Sequence, residues 1–126
     1  MTAQTSRKET LAIVEDDVSL LSALAFALEM DGFRVKSYTN GRQLLAAPEP
    51  VSCVIVDLKL PDMDGLALIE RLRRVGRDEP AILITTNPDE RCRRAAADAN
   101  VPIVEKPLIG GDLRRRIGEA IGEAAR

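Results

Sequence analysis

Five short runs of strand character alternate along this chain with five longer stretches of helical period, and this alternation constrains the fold more than any other feature. The strands are expected at Leu11 to Val14, Arg34 to Tyr38, Cys53 to Val56, Ala81 to Thr85 and Val101 to Glu105. The helices are expected at Ser19 to Met30, Gly41 to Ala46, Leu66 to Val75, Asp89 to Ala99 and Asp112 to Ala124. Five successive βα units predict an α/β fold with a parallel sheet, helices on both faces and right-handed crossovers.

The length and the cysteine content indicate one domain that folds without a metal or a disulfide. A chain of 126 residues can bury a sufficient core on its own. Two cysteines, Cys53 and Cys92, do not make a disulfide framework, which fits a reducing cytoplasm. The polar start lacks the apolar segment of a signal peptide, and no apolar stretch is long enough to span a bilayer. We therefore expect a single domain over residues 1–126, with a core at about 10–124, a flexible segment at 1–8 and a cytoplasmic location.

The charge distribution argues against nucleic-acid and membrane binding. The net charge is −2, too small for attraction to a polyanion or a lipid surface through the whole-protein field. The arginine runs at 91–94 and 114–116 are interpreted as the solvated faces of two helices. The absence of histidine excludes histidine metal ligands and histidine general bases.

Acidic residues follow two of the apolar runs. The first run is followed by Glu15, Asp16 and Asp17, and the third by Asp57. The carboxyl ends of parallel strands meet at one edge of an open α/β sheet, where such folds bind their ligands. Close carboxylates repel unless a cation offsets the repulsion. An all-oxygen site that also receives phosphate favours Mg²⁺, with Mn²⁺ as an alternative.

A hydroxyl and an ammonium complete the set of polar groups at this edge. Thr85 ends the fourth strand and Lys106 follows the fifth. Lysine supplies a compact positive charge for a phosphate, and a threonine hydroxyl can hydrogen-bond a phosphate oxygen. Together with the acids, these groups could serve phosphoryl transfer in which Asp57 attacks phosphorus and a metal neutralises the phosphoryl oxygens.

In this order and at these strand ends, the residues resemble the receiver domain of two-component response regulators, especially the receivers of nitrogen-fixation-type transcriptional regulators. The resemblance extends from about Leu11 to Ala124. It implies a flavodoxin-like, doubly wound sheet of five parallel strands in the order 2-1-3-4-5, with five helices. It also implies a signalling protein that is not an enzyme. A histidine kinase or histidine phosphotransfer protein would donate the phosphoryl group, and the modified chain would act on a downstream protein or an output domain.

The resemblance also assigns the metal ligands. Asp16 would bind Mg²⁺ directly and Glu15 through a water molecule. Asp57 would be both a ligand and the phosphoryl acceptor, and Lys59 would offer its backbone carbonyl. Asp17 is a rival for the place of Asp16, because three acids stand together. We prefer the first two because they directly follow the strand.

The remaining roles and the departures concern the fourth and fifth strands. Thr85 matches the switch hydroxyl of the family, and Lys106, before a proline that is often cis in this family, matches the phosphate-binding lysine. Many receivers carry an aromatic residue where this chain has Ile103, so the coupled movement of hydroxyl and ring cannot operate in its usual form. Thr86 stands where Gly or Ala is common and is expected to narrow the path to Asp57. The segment 98–100 lacks the usual glycine before the fifth strand.

Three other functions are weighed against this one. A receiver-like module that signals without phosphorylation is kept open by Ile103 and Thr86. An aspartyl-phosphate phosphatase usually needs a second aspartate where this chain has Lys59. Flavin binding needs a hydroxyl-rich phosphate loop after the first strand, where acids stand instead. The sequence leaves open the cognate kinase, a phosphorylation-linked dimer, and whether the receiver is free-standing or part of a longer regulator.

Overall fold

The structure is a computed structural model that describes residues 9–47, 49–108 and 110–124, and this part of the chain forms strands and helices in strict alternation. The strands are β1 (Thr10–Val14), β2 (Arg34–Tyr38), β3 (Cys53–Asp57), β4 (Ala81–Thr85) and β5 (Ile103–Glu105). The helices are α1 (Val18–Met30), α2 (Gly41–Ala46), α3 (Gly65–Arg74), α4 (Glu90–Asp98) and α5 (Asp112–Ala124). The predicted flexible segment 1–8 lies outside the described residues.

The strands form one parallel sheet in the order β2-β1-β3-β4-β5. The predicted α/β class, the five-stranded doubly wound sheet and its strand order are therefore confirmed. The main difference from the predicted boundaries is at β5, which begins at Ile103 rather than Val101. Pro102 has no N–H to donate to a ladder, although its carbonyl still accepts a hydrogen bond from the amide of Leu83 at 2.9 Å.

The sheet is covered on both faces, and successive residues of the central strands supply two separate cores. Val54 and Val56 of β3 belong to a cluster with α2, α3 and α4. Cys53 and Ile55 belong to a second cluster with α1 and α5. Every residue of β3 and β4 is buried, as their continuous apolar sequences predict for a parallel sheet. Full burial of such a side chain contributes about 1.5–3 kcal/mol.

Helices α1 and α4 end at residues whose backbone lies in the left-handed region. Gly32 (φ 100°) ends α1, as its position after Asp31 predicts. At the end of α4, where the family's usual glycine is missing, Asn100 adopts a φ of 64°. The amide of Val101 then donates to the carbonyl of Ala96 at 2.8 Å, which is the closing bond of a Schellman motif. Asparagine tolerates this conformation, so α4 ends in the ordinary way without glycine.

A partly buried ion pair connects the α3–β4 segment to the end of α2. Arg77 donates from Nη2 to Glu79 Oε2 at 2.6 Å, and from Nη1 to the carbonyls of Leu44 and Ala47 at 3.3 Å each. Glu79 also accepts from the amide of Val51 at 3.1 Å. Burial alone would raise the pKa of Glu79, but the bonds from Arg77 and Val51 outweigh it and lower the pKa below its ordinary value.

We expect Glu79→Gln to lower the free energy of unfolding by about 2 kcal/mol at neutral pH, because it leaves Arg77 without its counter-ion in a half-buried place. An acid with a depressed pKa contributes stability above its unfolded pKa and loses it as the pH falls through the folded pKa. The difference from wild type should therefore shrink in urea titrations below about pH 4.5. Exposed Glu70→Gln is the matched control, expected within about 0.5 kcal/mol of wild type. A pH-independent difference would contradict the ion-pair interpretation.

Candidate functional site

The predicted polar residues converge where the carboxyl ends of four strands meet. Glu15 directly follows β1, Asp57 ends β3, Thr85 ends β4 and Lys106 directly follows β5. Glu15, Asp57 and Thr85 are 1%, 6% and 2% exposed. Burial of three polar side chains at one edge of the sheet is unusual, because such burial costs free energy unless partners compensate it.

Lys106 supplies that compensation for two of the acids. Its Nζ lies 2.8 Å from Oε1 of Glu15 and 3.4 Å from Oδ2 of Asp57. Burial lowers the pKa of Lys106 by itself, but the hydrogen bond to Glu15 and the charge of Asp57 outweigh it, so the net shift is upward. Lys106 is therefore fully charged at neutral pH. Its amide also donates to the carbonyl of Thr85 at 2.7 Å, which holds it beside β4. The peptide bond before Pro107 is cis.

A third carboxylate, that of Asp16, joins Glu15 and Asp57 at this edge. Oxygen atoms of Glu15, Asp16 and Asp57 all lie within 4.8 Å of one another, with Asp16 exposed and the other two buried. Asp17 is used differently: its carboxylate caps α1 by accepting from the amide of Leu20 at 3.1 Å. Three carboxylates beside a single ammonium leave an excess of negative charge. A small set of oxygen donors open on one side fits Mg²⁺ or Mn²⁺, which retain several water ligands.

Burial also shifts the pKa of Glu15, the most deeply buried of the three acids. Desolvation raises the pKa of Glu15 and the charge of Asp57 adds to this, while the hydrogen bonds from Lys106 and from the amide of Asp17 act in the opposite direction. The net shift is upward. A proton therefore competes for Glu15 at a higher pH than for an ordinary glutamate.

The backbone around Asp57 is closely packed. The amide of Gly65 donates to the carbonyl of Leu58 at 2.7 Å, and the amide of Lys59 lies 3.5 Å from Oδ1 of Asp57. A Cβ atom on Gly65 would come within 2.2 Å of the carbonyl oxygen of Asp57. Glycine is thus required by the close approach of α3 to the backbone of Asp57, and not only by a turn. The use of the Lys59 carbonyl as a metal ligand remains a prediction.

Two residues of the β3–α3 loop were not recognised in the sequence. Asp62 accepts from the amides of Gly41 and Arg42, both at 2.9 Å. Met63 packs so close to Gly41 that a Cβ there would lie 2.7 Å from its Sδ. No local pattern indicates these contacts, because the partners are about twenty residues apart in the chain.

A cleft of about 310 Å³ opens beside the site, between the β3–α3 and β4–α4 loops. Lys59, Thr85, Thr86 and Asn87 line it, together with residues of α3 and α4. Thr86 is exposed on its wall, and Asn87 adopts a φ of 47°. A larger groove of about 630 Å³ lies at the opposite, amino ends of β4 and β5, away from the acids.

Of the other residues singled out in the sequence, Arg91 lines the cleft beside the site, while Ile103, Arg93 and Arg114 make contacts outside the cluster of acids. Ile103 is half-buried and packs against the core under α2, α3 and α4. Arg93 pairs with Glu105 at 2.9 Å and Arg114 with Asp31 at 2.7 Å. These ion pairs are consistent with solvated helix faces rather than a surface for polyanions. Within the described residues, no helix is both long and apolar enough to cross a membrane.

Comparison with known proteins identifies the family. The sequence model of the response regulator receiver domain family matches residues 11–118 of this chain. The chain belongs to this family. Receiver domains are signalling modules of two-component systems, which accords with the resemblance noted in the sequence. Receiver domains bind Mg²⁺ in a pocket lined by acidic side chains, and Glu15, Asp16 and Asp57 form a cluster of acidic side chains in this chain.

Two relatives are bacterial regulators. The receiver is 38% identical over 102 residues to the transcriptional regulatory protein FixJ of Rhizobium meliloti (strain 1021), covering 79% of this chain and 50% of FixJ. It is 31% identical over 111 residues to the C4-dicarboxylate transport transcriptional regulatory protein DctD of the same strain, covering 86% of this chain and 24% of DctD. The chain thus spans about half the length of FixJ and about a quarter of DctD.

Solved structures of receivers superpose closely. A CheY-like response regulator receiver domain protein from Methanospirillum hungatei JF-1 has a TM-score of 0.86 at 26% identity, covering 93% of this chain and 96% of that one. The non-phosphorylated HemR receiver domain from Leptospira biflexa has a TM-score of 0.80 at 26% identity, covering 90% and 94%.

Gly65→Ala should destabilise the receiver by about 3 kcal/mol, because the added methyl group meets backbone rather than a movable side chain. Chemical denaturation at neutral pH measures the effect. Gly118→Ala in α5 is the matched control, since nothing lies within 4 Å of a Cβ there. It should stabilise the protein by up to about 1 kcal/mol through helix propensity. Equal stabilities of Gly65→Ala and wild type would show that α3 does not approach Asp57 as closely as described.

The affinity of the site for Mg²⁺ should begin to fall at a higher pH than ordinary carboxylate ligands would cause, because burial raises the pKa of Glu15 and its proton competes with the metal. Calorimetric titration with MgCl₂ at several pH values measures this dependence. Glu15→Gln should bind Mg²⁺ more weakly but with a flatter pH profile. A wild-type chain and Glu15→Gln with the same pH profile of Mg²⁺ affinity would contradict the role of Glu15.

Proposed function

We propose that this chain is the phospho-accepting receiver of a two-component system or phosphorelay, and that Asp57 takes the phosphoryl group from a phosphohistidine. The observation that carries the proposal is the placement of Asp57 between two kinds of charge. Lys106 lies 3.4 Å from one of its oxygens, and oxygen atoms of Asp57, Glu15 and Asp16 lie within 4.8 Å of one another. A nucleophile flanked by a phosphate-binding cation and a metal-binding cluster is what phosphoryl transfer requires.

The chemistry follows from these residues. An oxygen of Asp57 attacks phosphorus, the P–N bond of the phosphohistidine breaks, and the imidazole leaves with its electron pair. Asp16 would hold Mg²⁺ directly and Glu15 through water, with Asp57 and the carbonyl of Lys59 completing the protein ligands. When bound, the ion neutralises the phosphoryl oxygens.

Lys106 has the second role at the phosphoryl group. Its ammonium, now in contact with Glu15 and Asp57, can bind a phosphoryl oxygen once Asp57 is modified. Although burial would lower the pKa of Lys106, the hydrogen bond to Glu15 and the charge of Asp57 outweigh it and raise that pKa, so Lys106 is charged before the phosphoryl group arrives. Thr85, buried at the end of the neighbouring strand, would hydrogen-bond the same group and so register the modification on β4.

The output would be a change in a two-state equilibrium driven by the added negative charge. The surface formed by α4, β5 and α5 would report it, and the Arg93–Glu105 pair already joins α4 to β5. A histidine kinase or phosphotransfer protein is the proposed donor, and a downstream protein or output domain the proposed target. Under this proposal, residues 1–126 are a single receiver domain that acts in the cytoplasm. A phosphatase would need an acid where Lys59 stands.

Incubation with acetyl phosphate and Mg²⁺ should add one phosphoryl group, detected by intact mass. Asp57→Asn and a metal-free sample should show no adduct, because the nucleophile or the neutralising cation is missing. Asp78→Asn, at an exposed aspartate outside the site, is the matched control and should be modified like wild type.

Failure of acetyl phosphate to modify the chain would not by itself contradict the proposal, because Thr86 lies on the wall of the adjoining cleft, where it is expected to narrow the path of this donor to Asp57. The protein is therefore also offered a phosphorylated histidine kinase and beryllium fluoride. If none of the three engages Asp57, the phospho-accepting function is wrong and the chain signals by protein contacts alone.

A further inference from the structure

The β3–α3 loop is held at its tip by a helix to which it is not adjacent in the chain. The two carboxylate oxygens of Asp62 each accept one backbone hydrogen bond, Oδ1 from Gly41 and Oδ2 from Arg42, both at 2.9 Å. The side chain of Met63 rests on Gly41. Two neighbouring loop residues, Asp62 and Met63, therefore attach the loop to the first turn of α2.

The base of the same loop is held separately. The amide of Leu58 donates to the carbonyl of Ile84 at 2.9 Å, and Gly65 donates back to Leu58. Lys59 and Asp64 form an antiparallel bridge across the loop. Lys59 therefore lies between this base and the tip that Asp62 attaches to α2.

Capping of α2 does not by itself account for Asp62. The helix already has an N-cap in Asn40, whose side chain accepts from the amide of Gln43 at 2.9 Å. Asp62 takes the two amides that precede Gln43, and it comes from another segment of the chain. The hydrogen bond from Gly41, followed by that from Arg42, lowers the pKa of Asp62 although burial opposes this, so the carboxylate is ionised when it binds them.

We propose that Asp62 is a positioning residue for the metal site. By binding the amino end of α2 it holds the β3–α3 loop, and with it the backbone carbonyl of Lys59, in place beside Asp57. The proposal rests on the proposed function, because it takes Lys59 to be a metal ligand. It goes further in making the metal affinity depend on the attachment of the loop to α2.

The test compares two variants that both remove hydrogen bonds from the start of α2. Asp62→Ala releases the loop, whereas Asn40→Ala removes the N-cap and leaves the loop attached. Asp62→Asn is the intermediate case, because its amide retains one acceptor oxygen and places a donor opposite the second N–H. The full chain is titrated with MgCl₂ by calorimetry, and its thermal unfolding is followed in the absence of metal.

Asp62→Ala should weaken Mg²⁺ binding about tenfold, which is the lower range for the loss of a group that orients a metal ligand. Asp62→Asn should lie between Asp62→Ala and wild type. Asn40→Ala should remain within about twofold of wild type in Mg²⁺ affinity, even though its melting temperature falls as much as that of Asp62→Ala. A purely structural role would change the melting temperatures without this difference in affinity.

The proposal is overturned if Asp62→Ala binds Mg²⁺ as tightly as wild type, or if Asn40→Ala weakens binding equally. Intact mass after incubation with acetyl phosphate separates this result from failure of the proposed function. If the wild-type chain binds Mg²⁺ but no phosphodonor modifies it, the phospho-accepting function is refuted. The role of Asp62 is still decided by comparing the Mg²⁺ affinities of Asp62→Ala and Asn40→Ala with that of wild type. A wild-type chain that binds no Mg²⁺ overturns both.

Discussion

The contact of one lysine with two buried acids is the interaction on which the functional edge depends. Glu15 and Asp57 are almost fully buried, and burial of two carboxylates without a cation would be strongly unfavourable. Lys106 meets both, and in doing so it connects the ends of β1, β3 and β5. With Asp16 added, three carboxylates face one ammonium, and this imbalance is what makes the site suited to a divalent cation.

Backbone packing sets the position of Asp57 as much as charge does. Gly65 brings the start of α3 against the carbonyl of Asp57, and Asp64 caps that helix by accepting from Leu66 and Ala67. Asp62 fastens the same loop to α2. With the bond from Leu58 to Ile84 of β4, the loop contacts three elements, α2, α3 and β4, and a ligand group on it can be held to a narrow range of positions.

Two of the departures from the common receiver pattern, Ile103 and Asn100, lie in β5 and at the end of α4 rather than among the acids. Ile103 packs into the core as an aliphatic residue, so it offers no ring to follow a movement of Thr85. Asn100 replaces the usual glycine at the end of α4 with no loss of the helix stop. If Asp57 is phosphorylated as proposed, the change would have to reach α4 by another connection, and the Arg93–Glu105 pair is such a contact.

Features that depend on near neighbours in the chain could be predicted from the sequence. These are the alternation of strands and helices, the burial of β3 and β4, the stop of α1 at Gly32 and the acids at strand ends, because periodicity and capping involve residues within about four positions. The strand order came from the resemblance and was confirmed. Only the tertiary structure brought Lys106 onto both Glu15 and Asp57 and joined Asp62 to α2. Those contacts link residues far apart in the chain, so they exist only once the sheet and its helices have packed.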